Sequence, residues 1–321
     1  MFDRIKQAAA LLHEGKLVAF PTETVYGLGA DAMNEAAVSR IFQVKKRPYN
    51  HPVIVHLADI NELADWAIDI SPFAYQLAKA FWPGPLSILL KKQPHVLDVV
   101  TAGAATIGLR MPHHPVAQAL LKEFGSGIAA PSANRFTHIS PTTAQAVYEE
   151  LGGAVDLILD GGACEVGLES TIIDLSCEQP IILRPGMITA KAIAEVLNMR
   201  LIVTHQDAPV TRAPGMHHVH YAPETKTTIL ETSEINLFLQ ALQLEELPIA
   251  LVVWSSFSAP FPANVHVIPM PTSASSYAHD LYQTLRSLDT GYYKQIVIEN
   301  TPMHVEWEAI RDRLYKASGS S

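Results

Sequence analysis

Residues 21–29 read Pro21-Thr22-Glu23-Thr24-Val25-Tyr26-Gly27-Leu28-Gly29, directly after an apolar run from Leu17 to Phe20. The apolar run is typical of a buried strand, and the proline that follows ends it. Small hydroxyl side chains and one carboxylate come next, and two glycines allow the backbone to approach a ligand closely. The stretch therefore predicts a binding loop at the mouth of a β-sheet.

Outward from this loop, the first two thirds of the chain alternate strand-like runs with helical patterns. The predicted strands cover residues 17–20, 52–57, 86–91, 106–110, 127–130, 157–159, 171–174 and 181–184. The predicted helices cover residues 5–13, 35–44 and 142–151, and one more opens at Ser71-Pro72 and ends before Trp82. Eight strands with helices between them predict an α/β domain on a large twisted mixed sheet, which we place at residues 1–204.

Residues 205–223 hold several prolines and little periodicity, which is typical of a linker. Beyond them, strand patterns at 227–230, 249–254, 265–268 and 295–299 alternate with helical patterns at 234–244, 273–288 and 305–316. This alternation predicts a small Rossmann-like α/β domain with a parallel sheet at residues 224–316. No GxGxxG motif occurs there, so we assign it no dinucleotide. We expect residues 317–321 to form a disordered tail.

The bulk composition is that of a globular protein long enough for two domains. The 321 residues are 48% hydrophobic and 17% charged, with a formal net charge of −9. A chain that mainly grips nucleic acid needs a basic face, so this charge argues against that role. The densest basic cluster is Lys45-Lys46-Arg47, which we interpret as part of a site.

Targeting and redox signals are few. Cys164 and Cys177 fit no CxxC pattern, and we expect both to be reduced. The chain opens directly on an amphipathic helix pattern, and no apolar run reaches the roughly 18 residues that span a bilayer. We therefore expect a cytoplasmic protein.

Cationic residues lie at the ends of several predicted elements, and no Walker A motif is present to hold a nucleotide. They are Lys45, Arg47, Arg110 and Arg184. Arginine forks match phosphate and carboxylate geometry, while lysine acts as a point charge. Each could be an ordinary surface residue, but together, beside Gly, Pro and Ser, they favour a polyanion site.

Other polar residues have two readings each. Ser132 and Asn134 follow a strand of small residues. They could donate to a ligand there, or they could form a plain turn, which both residue types favour. Ser140 before Pro141 could be a helix N-cap or part of an anion site. His56 lies in an apolar strand, where a core histidine is the commoner case. The group His217, His218 and His220 lacks a carboxylate or cysteine at ligand spacing, so we do not favour a metal there.

Taken together, these motifs resemble the threonylcarbamoyl-AMP synthase family, the YrdC-like enzymes, in their two-domain branch. The motifs are Pro21–Gly29, Lys45–Pro48, His56, Arg110, Pro131–Asn134, Ser170-Thr171, Arg184–Gly186 and the stretch from Ala213 to Pro223. Where the family usually shows Asn-Pro-Leu, this chain has His51-Pro52-Val53, with Asn50 one place earlier.

The resemblance implies a nucleotidyltransferase that condenses L-threonine, bicarbonate and ATP into L-threonylcarbamoyladenylate with release of pyrophosphate. This reaction is the first step of tRNA threonylcarbamoyladenosine (t6A) modification. The implied threonine-binding residues are Thr24, His56, Arg110, Ala130 and Ser170. The implied ATP-binding residues are Arg47, His51, Thr106, Ser132, Asn134, Ser140, Arg184 and Tyr221, with Lys45 close by.

The reaction needs no protein nucleophile, and positioning and charge would do the catalytic work, chiefly through Lys45 and Arg47. We expect Mg²⁺ to come with ATP, no metal ligands from the protein and no tightly bound organic cofactor. The product would pass to the transferase machinery that acts on tRNA, and contact with tRNA itself would be indirect or weak. The linker, including Tyr221, is predicted to close over ATP as a lid.

Two alternatives remain at this point. One is a carbamoyl-adenylate former for another acceptor, as in hydrogenase-maturation relatives, which carry further domains and zinc-binding cysteines. The other is a double-stranded RNA-binding module without catalysis, against which the acidic charge argues.

Overall fold

The computed structural model describes residues 1–203, 221–242, 248–257 and 261–319, and the chain divides into two compact units. The N-terminal unit comprises Met1–Phe136 and Ser140–Met216. The C-terminal unit comprises Thr137–Ile139 and His217–Ser321. Most of the predicted linker and lid, including the three histidines near its end, lies outside the described residues.

Eleven described strands form the sheet of the N-terminal unit. They are β1 (Val18–Phe20), β2 (Gly27–Asp31), β3 (Ile54–His56), β4 (Ala67–Ile68), β5 (Leu86–Lys92), β6 (Thr106–Arg110), β7 (Ile128–Ala129), β8 (Leu157–Ile158), β9 (Thr171–Asp174), β10 (Ile181–Arg184) and β11 (Ile202–Val203). Their order is β11-β10-β9-β5-β6-β3-β7-β2-β1-β8, and β4 pairs with β5. Parallel pairs such as β3 with β6 alternate with antiparallel pairs such as β5 with β6, so the predicted large mixed sheet is confirmed.

Helices pack around this sheet. They are α1 (Phe2–His13), α2 (Glu35–Lys45), α3 (Leu63–Trp66), α4 (Pro72–Phe81), α5 (Asp98–Thr101), α6 (Pro115–Phe124), α7 (Ala144–Leu151) and α8 (Ala190–Leu197). Asn34 caps α2 by accepting from the Ala37 amide, and Ser71 precedes Pro72 at the start of α4. No described helix has both the length and the apolar character needed to cross a bilayer.

The C-terminal unit contains the described strands β12 (Thr227–Leu230), β13 (Ile249–Val253), β14 (Val265–Pro269) and β15 (Gln295–Glu299). All pairs are parallel, in the order β12-β15-β13-β14. The helices are α9 (Thr232–Ala241), α10 (Ala274–Leu288) and α11 (Glu308–Ser318). A small parallel sheet with helices is the layout that the sequence predicts.

Three expectations need correction. Gly27 and Gly29 belong to β2, and a Cβ on Gly29 would come within 2.8 Å of Phe20 and Ile128, so that glycine serves strand packing. The predicted binding loop is therefore confined to residues 21–26. Ser140 caps no helix, because α7 begins after Thr143, whose hydroxyl accepts from the Ala146 amide.

The third correction concerns the predicted disordered tail. Helix α11 continues to Ser318 and includes Ala317, whose side chain is buried, whereas Ser320 and Ser321 of the expected tail lie outside the described residues. Helical spacing carries Ala317 onto the same buried face as Arg313 and Leu314, which holds the last turn in place. The sequence patterns also missed strands β2, β4 and β11 and helices α3, α5, α6 and α8.

Candidate functional site

One face of the central strands carries most of the candidate polar side chains. Because side chains alternate along a strand, Val55, Leu109 and Ile173 point into the main apolar core, and their neighbours point the other way. Those neighbours include His56 and Arg110, which are paired in register on β3 and β6. Arg184 on β10 pairs with Ile172 on the same opposite face. The sequence thus delivers two arginines and a histidine to one buried surface.

Arg110 is held by a buried ion pair. Its Nη2 lies 2.7 Å from Oε1 of Glu23, and its Nε donates to the Gly84 carbonyl at 3.3 Å. The other oxygen of Glu23 accepts from the His113 amide at 2.9 Å. Nη1 of Arg110 makes no hydrogen bond within the described part of the chain. It is therefore available to a carboxylate ligand.

His56 is buried beside this pair. Burial, together with the nearby positive charge of Arg110, lowers the pKa of His56 to about 3. The ring is therefore neutral near pH 7, where it offers one donor and one acceptor and adds no charge. Its edge meets the ring of Phe20 at a centroid distance of 5.9 Å. This environment differs from the apolar core setting, because a guanidinium lies on the same face.

Ser170 connects two of the candidate groups. Its Oγ lies 2.8 Å from Oγ of Ser87 and accepts from Nη2 of Arg184 at 3.1 Å. Its carbonyl accepts from Nε of Arg184 at 3.0 Å. The turn after Arg184 is packed so closely that a Cβ on Gly186 would lie 2.4 Å from the Thr171 nitrogen. Only glycine fits at that position.

Hydrogen bonds connect the loop at residues 21–26 to two later segments. Thr24 is fully buried, with its hydroxyl 2.8 Å from that of Thr22. The backbone of Tyr26 donates to Pro141 and accepts from Ala133, both within 2.9 Å. On the other side, the Ala130 amide donates to Ile54 at 2.9 Å. Thr24, Ala130 and Ser132 are thereby drawn to one end of the sheet.

Lys45 joins helix α2 to the turn that follows β7. Its Nζ donates to the Ser132 carbonyl at 2.5 Å and also to the Asn134 carbonyl. The side chain is fully buried, and burial followed by the charge of Arg47 holds its pKa well below the usual lysine range. Lys45 therefore fixes the position of Ser132 and Asn134 through their backbone.

Arg47 and His51 meet at one aromatic ring, that of Phe136. The guanidinium of Arg47 lies 5.9 Å from the ring centroid, and the His51 ring stands edge-on to it at 5.1 Å. Arg47 also donates from Nη2 to the Pro52 carbonyl at 2.9 Å. The histidine that departs from the family pattern thus lies beside one of the candidate cations.

Ser140 contacts a second buried carboxylate. Its Oγ lies 2.5 Å from Oε1 of Glu169, the residue that precedes Ser170. Both residues are buried. Ser140 and Ser170 are therefore linked through one acidic side chain.

The two remaining candidates are Thr106 and Tyr221. Thr106 stands at the far end of β6 from Arg110, about 13 Å away at 3.3 Å per residue, although alternation places both on one face. Tyr221 belongs to the C-terminal unit, where it packs against Tyr282 at a ring distance of 5.7 Å and under Arg313 at 5.3 Å.

Sequence reasoning missed three contributors. Ser87, Phe136 and Glu169 touch the candidate residues directly. Ser87 could have been noticed as a lone hydroxyl within an apolar strand, and Glu169 as a carboxylate beside Ser170. Phe136 carried no such signal.

The arrangement suits a small anionic substrate next to a larger one. Among these residues and their partners, the buried guanidinium groups of Arg47, Arg110 and Arg184 outnumber the buried carboxylates of Glu23 and Glu169, so positive charge is in excess. Among the described residues, no group of three His, Cys, Asp or Glu side chains could hold a metal ion.

Comparison with known proteins identifies the family of the chain. Residues 10–186 match the model of the Sua5, YciO and YrdC proteins, described as "Telomere recombination". Residues 188–319 match "Threonylcarbamoyl-AMP synthase, C-terminal domain". The chain therefore belongs to the two-domain Sua5 branch of this family.

Individual relatives extend along almost the whole chain. The threonylcarbamoyl-AMP synthase of Bacillus subtilis is 40% identical, with coverage of 98% of this chain and 93% of the relative. The threonylcarbamoyl-AMP synthase of Pyrococcus abyssi is 38% identical, with coverage of 98% of this chain and 94% of the relative. The crystal structure of P. abyssi Sua5 complexed with L-threonine superposes with a TM-score of 0.92 at 36% identity, over 99% of this chain and 95% of that one.

Proposed function

We propose that this chain is an L-threonylcarbamoyladenylate synthase, a nucleotidyltransferase that consumes L-threonine, bicarbonate and ATP and releases pyrophosphate. The observation that carries the proposal is the buried sheet face on which Arg110 and His56 stand beside Ser170 and Arg184. The full-length likeness to a threonine-bound Sua5 supports it. The reaction is the first step of t6A modification of tRNA.

The threonine site that we propose lies at the His56 end of the sheet face. The free Nη1 edge of Arg110 binds the substrate carboxylate, while Glu23 fixes the guanidinium from the other side. Neutral His56, Thr24, the Ala130 backbone and Ser170 contact the amine and the hydroxyl. Because the imidazole adds no positive charge, it does not repel the substrate's amino group.

The ATP site that we propose begins at Ser170 and follows the cations outward. Arg184, Lys45 and Arg47 face the phosphates, with Ser132, Asn134, Ser140, His51 and Thr106 completing the set. Tyr221 stays in this set on the family resemblance alone. Mg²⁺ arrives with ATP on its phosphate oxygens and neutralises part of their charge.

The proposed reaction needs no protein nucleophile. The unprotonated amine of threonine adds to bicarbonate, and loss of water leaves a carbamate. A carbamate oxygen then attacks the α-phosphorus, the bond to the bridging oxygen breaks, and pyrophosphate leaves with that electron pair. Holding the reactants in line supplies up to about 7–11 kcal/mol, and the cations stabilise the developing charge.

Residues 205–223 are proposed to act as a lid that keeps water from the carbamate and the adenylate. Limited proteolysis within this stretch, with and without ATP and threonine, tests the lid. Protection that requires both substrates is expected, and equal cleavage in all samples would leave the stretch a tether.

The adenylate then passes to the transferase machinery that modifies tRNA, in the cytoplasm, where ATP and tRNA are available.

Pyrophosphate release tests the proposed reaction. The purified chain is assayed with ATP and Mg²⁺ while L-threonine or bicarbonate is omitted in turn. Release is expected only with both, and some activity with serine is expected because one methyl group discriminates by only about 1–3 kcal/mol. Arg184→Ala should lower the rate, whereas Arg200→Ala, which removes an exposed arginine, should not. Equal release without threonine would overturn the proposal, and so would RNA binding without any release.

A further inference from the structure

Three residues on or just after helix α10 of the C-terminal unit hold other parts of the chain. Tyr282 and Arg286 are four residues apart and share one side of α10, and Asp289 directly follows its last residue. Tyr282 stacks on Tyr221. The carboxylate of Asp289, at the end of α10, accepts from the amides of Glu224 and Thr225, both at 2.8 Å.

Arg286 holds a different segment, Thr137–Ile139. Its Nη2 donates to the Ile139 carbonyl at 2.6 Å. At the other end of the segment, the Thr137 carbonyl accepts from the Ala222 amide at 2.9 Å. Both ends of these three residues are thus bonded within the C-terminal unit, to which the segment belongs, although its flanks on either side belong to the N-terminal unit.

The flanks of the segment are part of the proposed ATP site. Asn134 precedes it, Ser140 follows it, and Phe136, whose ring contacts Arg47 and His51, is joined to it directly. Lys45 and Glu169 hold these two flanks from the N-terminal unit, and chain connectivity makes the conformation of residues 137–139 contribute to the spacing of Asn134 and Ser140. A shift of the segment reaches both.

The segment is strained. Thr137 has φ +72°, in the left-handed region, which a β-branched residue rarely adopts. Such a conformation persists only where the surroundings fix it. The hydrogen bonds at the two ends of the segment, one of them from a charged guanidinium, help to fix it.

We propose that Arg286 is a positioning residue for ATP. Through the Ile139 carbonyl it keeps residues 137–139 in their strained turn and so holds Asn134 and Ser140 at the spacing that nucleotide binding needs. Arg286 touches no reacting atom, and threonine depends on it less than ATP does, because Ser87 and Arg184 also hold Ser170. This inference rests on the proposed ATP site.

The test compares Arg286→Ala with Arg311→Ala in the full-length chain. Arg311 is the matched control, because it also donates to backbone carbonyls within the C-terminal unit, those of Pro302 and His304. Loss of a charge-assisted hydrogen bond predicts a KM for ATP raised about tenfold in Arg286→Ala, with the KM for threonine changed less than twofold. Arg311→Ala should leave both constants unchanged. Equal rises in both constants, or a normal KM for ATP in folded Arg286→Ala, would overturn the proposal.

A second variant separates positioning from general damage. Glycine adopts positive φ without strain, so Thr137→Gly added to Arg286→Ala should recover part of the ATP affinity. A merely structural role for Arg286 predicts no such recovery. Arg286→Lys, which keeps a cationic donor, should lie between wild type and alanine and serves if the alanine variant does not fold.

Amide hydrogen exchange tests the clamp without any assay of activity. Exchange at residues 137–140 should be faster in Arg286→Ala than in wild type, and unchanged in Arg311→Ala. If wild type releases no pyrophosphate, the proposed function fails, while this exchange measurement still decides whether Arg286 holds the segment. Unchanged exchange in Arg286→Ala would refute the clamp even in an active enzyme.

Discussion

Nη2 of Arg184 donates to Oγ of Ser170 at 3.1 Å, and Nε donates to the carbonyl of the same residue at 3.0 Å. On the proposed assignment, this pair joins an ATP contact to a threonine contact. A change at Arg184 should therefore affect both substrates, although the family resemblance implies ATP binding for Arg184 and threonine binding for Ser170.

The first prediction follows from this pair. Arg184→Ala removes a phosphate contact and also releases Ser170, so the KM values for ATP and for threonine should both rise, by about tenfold for ATP. Arg47→Ala should raise the KM for ATP alone, because Arg47 contacts Phe136 and the Pro52 carbonyl, which lie outside the set of residues proposed to bind threonine. Steady-state kinetics with each substrate varied in turn measures this. An unchanged KM for threonine in Arg184→Ala would show that the pair does not couple the two sites.

The second prediction concerns Ser87, which was not expected to matter. Ser87→Ala removes the hydroxyl that meets Ser170 at 2.8 Å, and loss of about 1 kcal/mol should raise the KM for threonine roughly fivefold. Ser71→Ala is the control, because the Ser71 hydroxyl is buried with no hydrogen-bond partner in the described part of the chain. If both variants behave as wild type, Ser87 does not orient Ser170.

The third prediction concerns the buried ion pair of Glu23 and Arg110, whose side chains are 4% and 5% exposed. Removing either partner leaves an uncompensated buried charge and should lower the free energy of unfolding by about 3–5 kcal/mol. Removing both should cost clearly less than the sum of the two single losses. Urea unfolding of Glu23→Ala, Arg110→Ala and the double variant completes the cycle. Additive losses would mean that the pair has no net coupling in the folded protein.

The fourth prediction concerns pH. The pKa of His56 is about 3 in the folded protein, below the ordinary value near 6.5, so the unfolded chain binds the extra proton between these values. Stability from neutral His56 is complete above pH 6.5 and is lost as the pH falls toward 3. Between pH 7.5 and 4.5 the wild type should lose about 2–3 kcal/mol more than His56→Gln, as measured by urea unfolding at both pH values. Equal losses would place the imidazole in contact with solvent.

Much of the fold was predictable because periodicity and end signals agreed. Strands β6, β9, β10, β12 and β15 were predicted at their observed bounds, since each is a short apolar run between clear breaks. Strand β2 was missed because its glycines read as a loop, and α6 followed a histidine-proline start that was not recognised. The histidine is in fact its N-cap, as His114 accepts from the Val116 amide at 3.2 Å.

The site was predictable in its composition and less so in its connections. Arg110, His56 and Ser170 were chosen from motifs, and register and alternation bring them to one face. The ion pair with Glu23 spans 87 residues of sequence, and the bond from Ser87 spans 83, so local patterns carried no trace of either. The same holds for the contact between Arg286 and Ile139, 147 residues apart.

The identity of the adenylate shows most directly whether the chain activates a carbamate of threonine. The chain is incubated with ATP, Mg²⁺, L-threonine and ¹³C-bicarbonate, and the product is analysed by mass spectrometry with an unlabelled sample beside it. We expect an adenylate that contains threonine and gains one mass unit from the label, because the carbamate carbon bridges the amine and the α-phosphate. A threonine adenylate without the label would show activation of the ordinary carboxylate. That result, or the absence of any adenylate from an active preparation, would contradict the account.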